Sequence, residues 1–210
     1  MPAQSSEAII LRTFPLKEAD LIVSYFTRDL GKLRGVAKRA RRPKSPFGAG
    51  LQRLSYVRMN YNHRENRELD FLDSCEILSS PFKMTADYDV SVALDFLTEA
   101  SEHLLPAGEP NERFFRLILA VRNFLAEAGP AGVWPAVTYF ALWSARLGGF
   151  LGPMELDEEE QAIGEEMLRV KLGDLTPRQW ERGTAAGLRR QLIRMIEEQV
   201  ERRIITLQYL

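Results

Sequence analysis

The sequence predicts an α+β protein in two parts: a closed β-barrel of five strands at the N-terminus, then an all-α helical bundle. Two observations carry this. Residues 1–80 are patterned with period two and broken by short turns, whereas from residue 81 onward the apolar residues recur with helical period. Charge changes at the same place. Residues 1–80 hold 14 Lys/Arg against 9 Asp/Glu, and residues 81–210 hold 14 against 20, so a net charge of -1 conceals a basic half and an acidic half.

The strands follow in order. "EAIILRTF" (Glu7 to Phe14) and "DLIVSYFT" (Asp20 to Thr27) are rich in β-branched and aromatic residues and are separated by "PLKEA". "TRDLGK" is a turn in which Gly31 suits a positive φ. "KLRGVAKR" is the third strand, with Lys32, Arg34 and Lys38 on one face and Leu33, Gly35 and Ala37 on the other. "RLSYVRMNY" (Arg53 to Tyr61) and "ELDFLDSCEIL" (Glu68 to Leu78) complete the five. Five short strands in this length of chain point to an OB-fold barrel. After "SSPFK" come the helices. Val90, Ala93, Leu97 and Leu104 share one face; Asn111 caps a helix with a stripe of Phe114, Leu117, Ile118, Val121 and Leu125, stopped by Gly129 and Pro130. "VWPAVTYFALWSARLGGF" is apolar all round, which places it at the centre of a bundle. The segment from Thr176 to Ile204 is read as a last pair of helices, with Leu188, Leu192, Met195 and Val200 inward.

Several chemistries lack their residues. Cys75 is the single cysteine, so an intramolecular disulfide and a thiolate zinc cluster are excluded, and it reads as a small core residue. His63 and His103 have no ligand spacing, and no phosphate-cradling glycine loop is present. The acidic run from Glu155 to Gln161 reads as the start of a helix, where acids favour the positive end of the dipole. No metal, no cofactor and no catalytic residue is expected. Apolar runs are too short to span a bilayer and the N-terminus lacks a signal-peptide pattern, so a cytoplasmic protein is expected.

Against that background one stretch stands out. "GKLRGVAKRARRPKSPFGAG" (31–50) holds seven Lys/Arg, and from Leu30 to Arg64 there are ten and no acid. A solvated edge strand would intersperse acids and favour Lys, whereas this stretch favours Arg, the better fork for phosphate. Lys32, Arg34 and Lys38 on the strand, Arg39, Arg41, Arg42 and Lys44 in the loop, and Arg58 on the next strand are therefore assigned to a nucleic-acid backbone. Phe47 and Tyr56 are candidates for base stacking, as is Tyr61, and for each a core position is an equal alternative. No base-reading helix accompanies them, so binding is expected to be largely independent of sequence.

These residues also carry a resemblance. The ordered set "EAIILRT", "EAD", "FTRDLGKLRGVAKRARRPKS" and "FGAGL" closely resembles the N-terminal domain of the RecO recombination mediators, and "LGGFLGP" and "RRIITLQYL" are similar to later segments of that family. The resemblance implies an OB-fold over 1–80 and a helical domain over 81–210. It implies binding of single- and double-stranded DNA, annealing of complementary strands, and loading of RecA, together with RecR, on DNA coated by single-stranded DNA-binding protein (SSB). It also implies a bacterial, nucleoid-associated location and no enzymatic site. Many such proteins carry a four-cysteine zinc module after "LGGFLGP"; here that region, about 153–180, has no cysteine. For the acidic SSB tail, Arg113 and Arg116 beside Phe114 and Phe115, with Arg122 farther along, form a candidate groove. Two other classes stay open: an RNA-binding OB module, and a metal-dependent nuclease using acids near Glu158.

Overall fold

The computed structural model describes residues 4–63 and 68–210, and these form two compact units. The first comprises residues 1–83 and 101–115, the second residues 84–100 and 116–210. A single division at residue 80 therefore does not describe the contacts, because the short segment 101–115 joins the barrel.

In the first unit, strands β1 (Gln4–Leu16), β2 (Asp20–Thr27), β3 (Gly31–Ala37), β4 (Tyr56–Asn62) and β5 (Asp70–Ser79) close into a barrel in the order β1-β2-β3-β5-β4, with β4 returning to β1. This is the five-stranded OB-fold expected. β1 is longer than its apolar run because it pairs with two neighbours, with β4 through Gln4–Ile9 and with β2 through Ala8–Leu16. A bulge between Ile10 and Arg12 bends it from one to the other. β4 starts at Tyr56 and not Arg53, since the preceding residues turn, with Leu54 at φ +56° and Ser55 N–H bonded to the Gln52 carbonyl. Closure depends on a three-residue parallel pairing of β3 with β5. Gly35 makes this approach feasible: a Cβ there would lie 2.6 Å from Leu72 Cδ2.

The barrel core is Ala8, Ile10, Val23, Tyr25, Ala37, Phe47, Leu51, Val57, Met59, Tyr61 and Leu72. Cys75 packs against this cluster, its thiol donates to the Phe47 carbonyl, and burial pushes its pKa up to about 11. A buried acid sits among these residues. Asp70, 3% exposed, accepts from the Tyr25 hydroxyl at 2.7 Å and contacts His63 Nδ1 at 2.8 Å. His63 is thus a partner of a buried acid.

The second unit is helical: α1 (Tyr88–Leu104, to Ala100), α2 (Glu112–Ala128, from Arg116), α3 (Val133–Leu147), α4 (Glu158–Arg169) and α5 (Ala186–Val200). Asn111 Oδ1 caps α2 as expected, and α3 is buried almost all round. The last pair of helices is one helix. Residues 176–181 instead run without regular structure and 182–185 form a turn, ending with Ala185 at φ +51°, and the buried stripe of α5 is Leu188, Leu192 and Ile196 with Arg189. Arg189 is satisfied by Thr138, Thr184 and Arg182 and lies 4.5 Å from the Trp134 ring centre. No helix among the described residues is long and apolar enough to cross a membrane.

The cysteine-less region is held by carboxylates and indole. Asp157 caps α4, and Glu160 accepts from the Gly187 and Leu188 N–H groups at the start of α5. Trp143 Nε1 donates to the Met167 carbonyl at 3.0 Å. Glu166 accepts from Thr176 N–H and pairs with Arg178. Burial works to raise the Glu166 pKa, but the Thr176 bonds and the Arg178 charge outweigh it and hold it below the ordinary carboxyl value. A depressed folded pKa gives stability that is present above the unfolded value and lost as pH falls through the folded one. Glu166→Ala is therefore expected to cost about 1–3 kcal/mol at neutral pH, and the gap to wild type should close in acid. Urea titrations at several pH values measure this; a gap that persists at low pH contradicts the assignment.

Candidate nucleic-acid interface

The basic segment leaves the barrel at the end of β3 and is fixed at its base by the turn between β1 and β2. Arg39, at φ +54°, donates its backbone N–H to Asp20 Oδ1 at 2.8 Å, and Arg41 N–H donates to the Ala19 carbonyl. Phe47 anchors the other end, 2% exposed within the barrel core. Between these anchors Lys38, Arg39, Arg41, Arg42 and Lys44 are all exposed, and among the described residues none is in an ion pair. The loop is thus a tethered arch of uncompensated positive charge, and the tether lowers the entropy lost on meeting a phosphate backbone.

The remaining predicted cations are placed differently. Lys32 is half-buried and its ammonium donates to the Glu102 backbone carbonyl. Burial pushes its pKa down, Glu102 opposes this and Arg34 adds to it. Arg34 pairs with the Glu102 carboxylate at 3.2 Å, and the other oxygen of that buried carboxylate accepts from Ser24 at 2.6 Å. Lys32 and Arg34 therefore tie β3 to residue 102 of the same unit, which corrects their reading as a free phosphate-binding face. Arg58 is exposed and pairs with Glu76 at 2.8 Å across β4 and β5, so its charge is offset locally. Arg64 lies outside the described residues.

The aromatic candidates are also corrected. Phe47 and Tyr61 are core residues, Tyr61 meeting Tyr25 edge-on at 5.8 Å. Tyr56 meets Phe115 edge-on at 6.1 Å, and burial and a hydrogen bond to Glu7 raise the pKa of its hydroxyl, so it belongs to the packing on that side. Phe115, fully buried, also packs on Phe26 at 5.6 Å, and Phe114 is 3% exposed. Neither phenylalanine can wall an open groove, whereas Arg113 and Arg116 are exposed. Sequence reasoning missed two residues. Lys17, exposed at φ +56° in the β1–β2 turn, is brought beside the basic loop by the Ala19–Arg41 bond. Phe71 is 40% exposed on β5, with Lys38 Nζ 5.3 Å from its ring centre. No sequence signal marked it, because its exposure follows from the inward turn of the neighbouring Asp70, which only the tertiary contacts with Tyr25 and His63 show.

Of the acids near Glu158, Asp157 and Glu160 are engaged at helix N-termini, and among the described residues no group of three or more His, Cys, Asp or Glu is placed to hold a metal ion.

A family model described as recombination protein O N terminal matches residues 1–81. A Koribacter versatilis protein named DNA repair protein RecO is 38% identical, over 97% of this chain and 96% of that protein. The chain belongs to the RecO family. RecO proteins of Salinibacter ruber and Cutibacterium acnes are also similar, 30% identical over 88% of this chain and 73% of theirs, and 35% identical over 64% and 55%. Membership in the RecO family agrees with the closed barrel and with the ordered residues of the N-terminal half that first carried the resemblance.

Proposed function

We propose that this chain is a DNA-binding recombination mediator in DNA repair. It binds single- and double-stranded DNA without strong sequence preference, anneals complementary strands and, with RecR, helps to load RecA on SSB-coated DNA, acting without a catalytic step in the bacterial cytoplasm and nucleoid. The observation that carries this reading is the tethered loop of exposed cations, none of them in an ion pair among the described residues, on an OB-fold barrel. Guanidinium forks suit phosphate oxygens, and a dense positive surface lowers the repulsion between two strands brought together to pair. With no recognition helix beside the loop, contacts to the backbone dominate.

The SSB tail falls to the second unit in this reading. Its acidic end needs a cation in an apolar setting. Arg122 is 3% exposed, its Nε and Nη1 have no hydrogen-bond partner among the described residues, and burial pushes its pKa down. An unpaired buried guanidinium is costly to a fold, and a carboxylate reaching it would offset that cost. Arg116, exposed six residues earlier, gives the tail a first contact. Annealing of complementary strands coated with SSB tests the whole reading. Wild type should accelerate annealing. Arg39, Arg41 and Arg42 changed together to glutamate should abolish the acceleration, and SSB without its acidic tail should reduce it. Undiminished annealing by the triple variant removes the loop from the function.

A further inference from the structure

We propose that Phe71, with Lys38 over its ring, is a platform on which one base of a bound single strand stacks; this rests on the DNA-binding reading of the adjoining loop. β5 opens with a reversal of the usual pattern. Its acid, Asp70, turns into the barrel to meet Tyr25 and His63, so the aromatic next to it must face out. Phe71 is the one aromatic of the barrel strands that is exposed, among the described residues. Parallel pairing sets Phe71 opposite Val36, two residues before Lys38, and Lys38 is the first cation of the basic loop. A strand whose phosphates follow Arg39, Arg41, Arg42 and Lys44 would therefore pass Phe71 within a nucleotide or two of the loop.

Charge decides what can lie on the ring. On the outward face beyond Phe71, Asp73 accepts from the Asn62 amide at 2.7 Å, and Glu76 pairs with Arg58. Arg58 offsets Glu76, but the Asp73 carboxylate, bonded only to a neutral amide among the described residues, disfavours a phosphate beside it, while the flat uncharged face of a base meets no such penalty. The Lys38 ammonium above the ring already shows the ring face oriented toward the basic loop. A nucleobase stacking there takes the place of the Lys38 ammonium, which is then released to a neighbouring phosphate; every base has a π-surface, whatever its sequence.

The test compares binding of the full chain to an oligothymidylate and to an abasic strand of equal length, at fixed salt. Phe71→Ala should weaken binding to the oligothymidylate by about 5- to 100-fold and leave the abasic strand and duplex DNA unaffected. Phe71→Trp should restore the loss, and the dependence on salt should not change in either variant. Stacking is overturned if Phe71→Ala binds the oligothymidylate as wild type does, or loses affinity equally for both strands. Wild-type protein that binds neither strand would instead defeat the DNA-binding reading itself, which is a separate outcome.

Discussion

Changing Arg39, Arg41 and Arg42 together to alanine is expected to weaken binding to single-stranded DNA about a hundredfold at 0.1 M salt. The estimate follows from counterion release. Each phosphate neutralised on a single strand contributes a slope of roughly -0.7 to the dependence of log K on log salt, or about fivefold in affinity at 0.1 M. Six exposed cations lie on or beside the loop, counting Lys17 with Lys38, Arg39, Arg41, Arg42 and Lys44. If each meets a phosphate, wild type shows a slope of about -4, and three neutralisations bring it to about -2. Lys32→Ala should behave differently, because its ammonium is engaged with the Glu102 carbonyl. It should lower stability and leave the slope nearly unchanged. Fluorescence anisotropy over a range of salt concentrations reads both quantities. A triple variant with the wild-type slope would show that these arginines do not meet phosphates.

The contrast between Lys32 and Arg41 shows what the sequence could and could not convey. Period-two alternation placed β2 at its observed bounds and put Lys32 and Arg34 on β3, since those are local properties, but it ran the strand too far, because β3 ends at Ala37 and Lys38 already belongs to the turn. It could not reveal that Glu102, 68 to 70 positions away, occupies two of them, because that pairing exists only after residues 101–115 join the barrel. Phe47 was misjudged for a similar reason. Its neighbours Pro46 and Gly48 mark a loop, but the loop folds back and seats the ring in the core. In α2 the stripe from Phe114 to Leu125 was legible, yet Phe115 and Arg122 are also buried, which a single-face pattern does not predict. Exposure of the loop cations was legible from charge, whereas the partners of Lys32, Arg34 and Arg58 were not. A surface cation such as Arg42 needs no partner within the chain, so its position depends little on distant residues.

Asp70→Ala is expected to produce the largest loss of stability, about 3–5 kcal/mol, by removing the one acid that organises the end of the barrel. The Tyr25 hydroxyl, in a fully buried ring, would lose its acceptor, and His63 would lose its carboxylate. Burial first and then the Asp70 charge raise the Tyr25 pKa, so the phenol stays a donor and needs an acceptor. Replacing both partners should hurt less than replacing one. In Tyr25→Phe/Asp70→Leu the fully buried phenol is gone and only the partly exposed His63 ring loses its partner, so much of the single-variant loss should be recovered. The effect reaches the DNA-binding surface because Asp70 also sets the phase of β5. Turning Phe71 outward forgoes about 1.5–3 kcal/mol of burial, and the bonds to Tyr25 and His63 help to hold the strand in that phase. The parallel closure is only Gly35–Asp70, Val36–Phe71 and Ala37–Leu72, so the phase at this end rests on those bonds together with the antiparallel ladder to β4, which ends at Asn62–Phe71. Asp70→Ala should therefore lower the melting temperature and, where the protein remains folded, reduce the preference for base-bearing over abasic strands. An Asp70→Ala protein that melts with wild type would mean that the buried acid does not secure the closure.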